Sequence, residues 1–226
     1  MDGNGRWAQG QGLPTIAGHR AGANAAQRIT ERAAQRGIEF LTFYTFSSEN
    51  WKRQQSWIDD FMGLLRWYLN QEAKTLMKKG VRLRVIGDRS LLPHDIQELI
   101  QELELKTQNN TTITVILALS YGGRDELKRA MQAIACKVAN AELSAEDITC
   151  SLMEQHLDTS GIPDPDLLIR TSGEQRLSNY LLWQMAYTEL VFIPTLWPDF
   201  STQEFDQALE IFSQRQRRYG LYVDVS

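Results

Sequence analysis

The spacing of hydrophobic residues changes several times along the chain, and each change predicts a different kind of element. Short runs rich in β-branched and aromatic residues predict strands at residues 39–46, 82–86, 112–119, 167–170 and 190–193. Apolar residues three and four positions apart predict helices at residues 19–35, 57–78, 95–106, 125–139, 145–157, 178–187 and 203–217. Alternating strands and helices are typical of a mostly parallel sheet covered by helices.

This alternation runs through the whole chain without an internal repeat, a low-complexity tract or a linker. The 226 residues are 42% hydrophobic, which is enough for one large core. We therefore predict an α/β fold with a mostly parallel central sheet flanked by helices, forming a single domain over residues 1–226. The polar motif at the start of the chain would resemble the other motifs if a strand preceded it, so we also expect a first strand upstream of Met1.

Charge and composition narrow the range of functions. The net charge of -4 provides no basic field for binding nucleic acid. The longest apolar stretch, "ITVILAL", is too short to span a bilayer, and no charged-then-apolar leader precedes the first motif, so we expect a cytoplasmic protein. Cys136 and Cys150 are then expected to be reduced, buried thiols, and the three histidines are too scattered for a zinc site.

Three unusual polar motifs follow predicted strands. They are "SSENWKR" after Phe46, "SYGGRDE" after Leu119 and "TSGEQRLSN" after Arg170. Ligands of open parallel sheets bind beyond the carboxyl ends of the strands. We therefore expect these loops to share one rim of the sheet, together with the opening motif "MDGNGRW".

The opening motif has the composition of a diphosphate site. Gly3 and Gly5 flank Asn4, so the backbone can turn its N–H groups inward beside a helix start, and Arg6 adds a forked cation. Asp2 would repel phosphate unless a cation lay between them, and Mg²⁺ commonly has that position. The motif therefore suggests a metal–diphosphate cradle, although Asp-Gly and Asn-Gly are also ordinary turn dipeptides.

Two further groups of polar residues suggest substrate contacts. Arg170, Arg176 and Ser178 lie on a Gly-containing loop before a predicted helix, which would make an anion pocket or else a set of solvated surface arginines. "FSSENWKR" combines polar, cationic and aromatic residues, and an exposed helix cap explains part of it equally well. Two anion sites, one metal and many nearby apolar residues favour substrates with diphosphate heads and hydrocarbon tails.

The motifs "MDGNGRWA", "GHRAG", "FSSENWKR", "YGGRDEL", "DLLIRTSGEQRLSNYLLWQMAYTEL" and "WPDF" occur in the order found in cis-prenyltransferases. The chain resembles that family, and especially the bacterial undecaprenyl diphosphate synthases, from Met1 to about Gly220. The resemblance implies a Mg²⁺-dependent transferase that adds isopentenyl diphosphate repeatedly, with cis double bonds, to an allylic diphosphate such as farnesyl diphosphate. A polyprenyl diphosphate such as undecaprenyl diphosphate, a lipid carrier for the cell wall, would be the product. The resemblance also implies a homodimer, with at most peripheral membrane contact through that product.

The resemblance assigns roles to matching positions. It implies that Asp2 and Asn50 are catalytic and that Asp2 and Glu189 hold the metal. The residues implied around the allylic diphosphate are Gly3, Asn4, Gly5, Arg6, Trp7 and His19. Those implied for isopentenyl diphosphate are Arg170, Arg176 and Ser178. Ser47, Trp51 and Arg53 match a loop that closes near the reacting ends of both substrates, and Arg218 and Gly220 match a motif that reaches the partner subunit's site.

Two positions differ from the family pattern. Thr15 stands where the family usually has an arginine, and residues 54–57 replace a Pro-containing stretch with an acidic residue. Two other functions are compatible with parts of the pattern. A non-catalytic subunit of the same fold is disfavoured because Asp2, Asn4 and Arg6 are retained, and a phosphate or nucleotide hydrolase is disfavoured because GxxxxGK[ST] is missing.

Overall fold

The computed structural model describes residues 1–216, apart from the side chain of Ala73. Its strands are β1 (Phe40–Ser47), β2 (Val81–Ile86), β3 (Ile113–Tyr121), β4 (Leu167–Arg170) and β5 (Glu189–Phe192). Each predicted strand is confirmed to within two residues at either end, because short β-branched and aromatic runs carry a strong local signal.

The α-helices of the described residues include one that the sequence did not predict. They are α1 (Asn4–Gly10), α2 (Thr15–Gln35), α3 (Gln55–Lys78), α4 (His94–Thr107), α5 (Gly123–Ala139), α6 (Cys150–Gln155) and α7 (Thr202–Ser213). Short 3₁₀ turns cover Ser48–Lys52, Arg89–Leu91, Ala145–Asp147 and Trp197–Asp199. The predicted helix at 145–157 is divided into a 3₁₀ turn and the short α6. Helix α1 was missed because its seven residues contain two glycines and few apolar residues.

The predicted helix at residues 178–187 is wrong. That segment forms bends followed by turns, and Ser178, Asn179 and Leu181 have φ values of 53°, 61° and 42°. A right-handed helix cannot include left-handed residues, and L side chains adopt this conformation at a cost. The apolar spacing of the segment imitates a helix, whereas its backbone is shaped by contacts with distant parts of the chain.

The described residues group into two compact units. Residues 1–29, 164–176 and those from 183 onward belong to the first unit, and residues 30–163 and 177–182 belong to the second unit. A single domain over residues 1–226 therefore stays a prediction.

The second unit contains a three-stranded parallel sheet in the order β1-β3-β2. Phe40 pairs with Thr114 and Val81 pairs with Ile113, so all three strands run in the same direction with β3 in the centre. Helices α3 and α4 pack against each other and against β2. Because β3 has a neighbour on each side, most of its residues are buried and its carboxyl end, at Ser120 and Tyr121, lies between the ends of β1 and β2.

The first unit contains the parallel pair β4 and β5, with Leu167 opposite Glu189 and Arg170 opposite Phe192. Helix α7 packs on β5. The described ladders therefore form two parallel sheets, whereas the sequence suggested one. The parallel α/β architecture itself is confirmed.

Two smaller expectations have different outcomes. Cys136 and Cys150 are free thiols, but both are exposed, so the expectation of burial is wrong. In α5 the buried face is marked by Ala130 and Ile134, and Cys136, two positions further along, points away from it. Among residues 1–216 no helix has both the length and the apolar composition needed to cross a membrane.

Candidate active site

The opening motif forms the start of α1, and two glycines of α2 pack closely against it. A Cβ atom at Gly18 would lie 2.0 Å from the carbonyl oxygen of Asn4, and a Cβ at Gly22 would lie 2.2 Å from Asn4 Oδ1. Only glycine allows the two backbones to come so near. The two glycines of "GHRAG" therefore allow the first turn of α1 to pack closely against α2. His19, which follows Gly18 in the sequence, is half-buried.

Asp2 is anchored to the carboxyl end of β4. Its backbone N–H donates to Thr171 Oγ1 (3.0 Å), and the Thr171 hydroxyl donates to the carbonyl oxygen of Asp2 (2.9 Å). The same carbonyl accepts from the backbone N–H of Trp197 (3.0 Å). These three hydrogen bonds hold the residue in position independently of its side chain.

The carboxylate of Asp2 forms an ion pair with Arg170, whose Nη2 lies 2.9 Å from Asp2 Oδ2. Partial burial would raise the pKa of Asp2, but the hydrogen bond and the charge of Arg170, with a smaller contribution from Arg6, hold that pKa below its ordinary value. Asp2 is therefore ionised at neutral pH and can ligate a cation. Its side chain is 37% exposed, so the carboxylate is accessible from solvent.

Arg6 forms the second part of this site. Its Nη2 donates to Ser172 Oγ (2.7 Å) and lies 3.2 Å from Glu174 Oε1 and 3.6 Å from Asp2 Oδ1. Glu174 also pairs with Arg176, and the carbonyl oxygen of Arg176 accepts a hydrogen bond from Arg170. Arg6, Arg170 and Arg176, which we call the arginine cluster, thus surround two carboxylates and leave an excess of positive charge.

The structure thus brings the opening motif and "RTSGEQR" together in the first unit. Two residues inside the second motif, Ser172 and Glu174, organise the cluster and were not singled out from the sequence, although they lie between arginines that were. Trp7 borders the site through its Nε1–H, which donates to Asp199 Oδ1 (2.8 Å). The other predicted contacts of this region, Gly3 and Gly5, lie at the N-cap of α1 and in its first turn.

Glu189 lies at the other end of the β4–β5 ladder. It pairs with Leu167, whereas Asp2 lies beside Thr171, just beyond the carboxyl end of β4. The Glu189 carboxylate contacts Arg215 Nη1 at 2.8 Å. The described contacts place Glu189 in an ion pair with Arg215, and its role as a metal ligand stays a prediction.

The described residues contain no group of three or more histidine, cysteine or acidic side chains arranged to hold a metal ion. Mg²⁺ often binds proteins through only one or two carboxylates, and substrate phosphates and waters complete its shell. Ionised, accessible Asp2 next to the arginine cluster fits that arrangement.

In the second unit, "SSENWKR" forms a capped 3₁₀ turn at the carboxyl end of β1. Ser47 is its N-cap, and the backbone N–H of Ser47 donates to Asn50 Oδ1 (3.0 Å). The helix-cap alternative considered from the sequence therefore matches the observed geometry. The cap uses one acceptor site of Asn50 Oδ1, so the second lone pair of Oδ1 and the Nδ2 donors are not engaged by the Ser47 N–H.

This turn is joined to the ends of other segments of the second unit. Trp51 Nε1–H donates to the hydroxyl of Ser120 (2.9 Å), a buried residue at the end of β3. Asn179 Nδ2 donates to Glu49 Oε1 (2.7 Å), and Asn179 Oδ1 accepts from the backbone N–H of Arg124 (2.9 Å). "SSENWKR" and "SYGGRDE" therefore share one edge of the sheet, which confirms part of the predicted common rim. Asn179, which the sequence did not single out, links the two loops.

Ser178 also belongs to the second unit, whereas Arg170 and Arg176 belong to the first. Its carbonyl oxygen accepts a hydrogen bond from Tyr44 Oη (3.4 Å). Arg53 lies at the end of the 3₁₀ turn, with its guanidinium over the ring of Trp57. Arg218 and Gly220 lie outside the described residues.

A partly buried network of hydrogen bonds and one ion pair supports the "YGGRDE" loop and was not predicted. Glu126, which is 1% exposed, accepts from the hydroxyl of Tyr121 (2.6 Å) and from the backbone N–H of Asp158 (2.9 Å). Asp158 in turn accepts two hydrogen bonds from Arg129, at 2.8 Å and 2.6 Å. Burial, followed by the charge of Glu126, raises the pKa of Tyr121, so its hydroxyl stays protonated and donates. Both oxygens of the buried carboxylate are satisfied, which makes this loop a stable platform.

Comparison with known proteins identifies this set of motifs. Residues 1–220 match the family model described as "Putative undecaprenyl diphosphate synthase". The chain belongs to this family. It is 50% identical over 224 residues to an isoprenyl transferase of Agrobacterium fabrum (99% of this chain, 91% of the relative). It is 52% identical over 220 residues to an isoprenyl transferase of Rhizobium meliloti (97% and 89%).

Solved structures agree with this assignment. Lavandulyl diphosphate synthase from Lavandula x intermedia, in complex with dimethylallyl diphosphate, is 38% identical with a TM-score of 0.94, over 97% of this chain and 95% of that one. A "probable undecaprenyl diphosphate synthase" from Campylobacter jejuni is 36% identical with a TM-score of 0.79, over 89% and 92%. The chain is therefore an isoprenyl transferase of the cis-prenyltransferase type, and the comparisons favour neither the hydrolase nor the non-catalytic subunit.

Proposed function

We propose that this prenyltransferase condenses isopentenyl diphosphate repeatedly with farnesyl diphosphate, forming cis double bonds and a polyprenyl diphosphate such as undecaprenyl diphosphate. The observation that carries this proposal is the arginine cluster around Asp2 in a chain of the undecaprenyl diphosphate synthase family. Three guanidiniums on two adjoining motifs provide enough charged donors for diphosphate groups.

The arginine cluster supports the first chemical step, in which the allylic carbon–oxygen bond breaks. Negative charge grows on the departing diphosphate while the allylic carbon becomes cationic. Arg6 has donors near the surface of the site and would stabilise the departing group more strongly than the intact substrate. Bound Mg²⁺, held by Asp2 and substrate oxygens, would supply further stabilisation of the same charge.

Arg170, Arg176 and Ser178 are the proposed contacts of isopentenyl diphosphate, whose double bond forms the new carbon–carbon bond before a proton is lost. Asp2 accepts a hydrogen bond from Arg170. The Asp2 carboxylate would therefore orient the arginine that binds isopentenyl diphosphate and also ligate the Mg²⁺ that binds the allylic diphosphate. The proposed roles of Ser47, Asn50, Trp51 and Arg53 are to close over the reacting ends and exclude water, which a carbocation would otherwise consume.

The allylic substrate class has support from a relative. The lavandulyl diphosphate synthase structure contains dimethylallyl diphosphate, which is an allylic diphosphate. That structure matches this chain with a TM-score of 0.94, so we also consider a second candidate reaction. This reaction is a single condensation on a short allylic substrate. Relatives that are about 50% identical and named isoprenyl transferases favour the chain-elongating reaction.

The proposal also includes the setting of the enzyme. We infer a cytoplasmic homodimer in which Arg218 and Gly220 reach the partner subunit's site, with peripheral membrane contact through the lipid product. Mixing an inactive Asp2→Ala subunit with an inactive Arg218→Ala subunit should then restore part of the activity. No recovery after verified subunit exchange would contradict a shared site.

Product analysis tests the reaction directly. The purified chain is incubated with Mg²⁺, labelled isopentenyl diphosphate and either farnesyl or dimethylallyl diphosphate, and the products are separated by length. We expect a ladder ending in a long polyprenyl diphosphate, with farnesyl diphosphate used in preference to dimethylallyl diphosphate. A single short product from dimethylallyl diphosphate would favour the second candidate, and no product from either would contradict both.

A further inference from the structure

Arg53 lies with its guanidinium carbon 4.2 Å from the centre of the Trp57 ring. Arg53 ends the 3₁₀ turn of "SSENWKR" and is exposed, whereas Trp57 lies in the first turn of α3 and is half-buried. This distance is within the range of a cation–π contact, in which the ring face attracts the cation. The contact joins the end of the polar turn to the beginning of the next helix.

Trp57 is itself held by two other aromatic rings. It stacks on Phe46 with centroids 6.0 Å apart and on Phe61 with centroids 5.6 Å apart. Phe46 is fully buried and Phe61 is 7% exposed, so both belong to the core of the second unit. The indole is therefore a fixed surface, and the arginine that lies on it has a limited choice of rotamers.

A stacked guanidinium keeps its charge and its hydrogen-bond donors. The ring contacts the face of the guanidinium plane, while the N–H groups lie in that plane and point outward. A carboxylate partner would occupy those donors, as Glu174 does for Arg6 and Arg176. The aromatic platform formed by Trp57 therefore leaves the N–H donors of Arg53 directed away from the ring, where an anion can approach them.

We propose that Trp57 is a positioning residue that holds Arg53 ready to bind a substrate diphosphate. This inference rests on the proposed function, which makes Arg53 a substrate contact. Preorganising the side chain reduces the conformational entropy that binding would otherwise cost. Trp57 thereby acts through Arg53 and does not itself need to contact the substrate.

A double-mutant cycle tests this role. The variants are Trp57→Leu, which removes the ring, Trp57→Phe, which keeps a weaker one, Arg53→Gln, and the double variant Trp57→Leu/Arg53→Gln. Trp67→Leu is the matched control, because Trp67 is on the same helix and 55% exposed. KM and kcat are measured for farnesyl and isopentenyl diphosphate, and thermal unfolding by circular dichroism checks that each variant is folded.

We expect Trp57→Leu to raise KM for at least one diphosphate substrate roughly two- to fivefold, with kcat changed less. Trp57→Phe should give an intermediate value and Trp67→Leu none. In the Arg53→Gln background, Trp57→Leu should cause no further increase, because the residue through which it acts is already absent.

Two results would overturn the inference. If Trp57→Leu raises KM equally with and without Arg53, the ring acts through packing alone. If Arg53→Gln leaves both KM values unchanged, Arg53 is not a diphosphate contact, yet product formation by the wild type would still support prenyl transfer. If the wild type forms no product, the proposed function fails separately. The same four variants are then compared by the Kd of inorganic diphosphate, measured by calorimetry. An absence of coupling between Trp57 and Arg53 in these Kd values would refute the positioning role.

Discussion

Asp2 and Arg170 are 168 positions apart in the sequence, and Arg170 Nη2 lies 2.9 Å from Asp2 Oδ2. The contact joins Asp2, two positions before the first residue of α1, to the last residue of β4. Arg170 is mostly buried, with 14% of its side chain exposed, whereas Asp2 is more accessible. One carboxylate thus accepts a hydrogen bond from a well-held arginine while remaining open to a cation and to substrate oxygens.

Asp2→Ala should reduce turnover by roughly 100-fold or more, because it removes the proposed ligand of the cation that stabilises the leaving group. The fold should persist, since Asp2 is held by backbone contacts with Thr171 and Trp197. Steady-state assays with Mg²⁺ and both substrates measure the effect. Asp60→Ala, an exposed position on α3, is the control, and a rate for Asp2→Ala within tenfold of wild type would refute the metal assignment.

Arg170→Ala and Arg176→Ala should each raise KM for isopentenyl diphosphate roughly 10- to 100-fold, because each removes a charge-assisted contact worth roughly 1.5–3 kcal/mol. Only Arg170 also contacts Asp2, so Arg170→Ala should lower kcat as well. Initial-rate measurements with varied isopentenyl diphosphate separate the two effects. Unchanged saturation in both variants would show that the pocket lies elsewhere, and Arg66→Ala, which breaks an exposed ion pair with Asp95, is the matched control.

Glu174→Gln should strengthen the binding of inorganic diphosphate by roughly two- to fivefold. Glu174 lies 3.2 Å from Arg6 and also pairs with Arg176, so a diphosphate must compete with it for both guanidiniums. Exposed ion pairs are worth about 0–1 kcal/mol each, which limits the gain. Isothermal titration measures it. Weaker binding would mean that Glu174 orients the arginines for the anion more than it competes with it.

The Asp2–Arg170 ion pair should make the free energy of unfolding decrease as the pH falls. The pKa of Asp2 is lowered in the folded chain, so its contribution is fully present above its unfolded pKa of about 4 and is lost as pH falls through the lower folded value. Asp2→Asn should therefore cost about 0.5–1 kcal/mol at pH 7, and the difference from wild type should shrink below about pH 4. Urea unfolding at several pH values measures this. A constant difference across that range would contradict the ion-pair contribution.

Thr15→Arg should strengthen farnesyl diphosphate binding by about 1–3 kcal/mol, or roughly 10- to 100-fold, without affecting isopentenyl diphosphate. Thr15 begins α2 and is exposed, and its Cγ2 would lie 3.9 Å from a Cβ built at Gly5, so it borders the opening motif. Arginine offers a charged fork where threonine offers one neutral hydroxyl. Titration of both ligands into wild type and variant is the measurement, and equal affinities would separate Thr15 from the allylic diphosphate site.

Local patterns predicted the five strands and most of the helices of this protein, together with the kind of chemistry to expect. The strands are visible in the sequence because β-branched and aromatic runs favour extended backbone wherever they occur, and α3 is visible because its apolar residues repeat with the helical period. The motifs around Asp2, Arg6 and Arg170 indicate diphosphate chemistry because the donors that recognise phosphate are few in kind.

Tertiary structure decided how these residues are used. Left-handed residues at Ser178 and Asn179 replace a helix that local spacing favoured, because Asn179 bonds to Glu49 and Arg124 across the second unit. The ladder register places Glu189 at the end opposite Arg170, and no local pattern encodes which end of a strand pair a residue occupies. Such pairings are selected by contacts between segments that are far apart in the sequence. No short stretch of sequence contains both partners of these contacts, so local patterns cannot predict them.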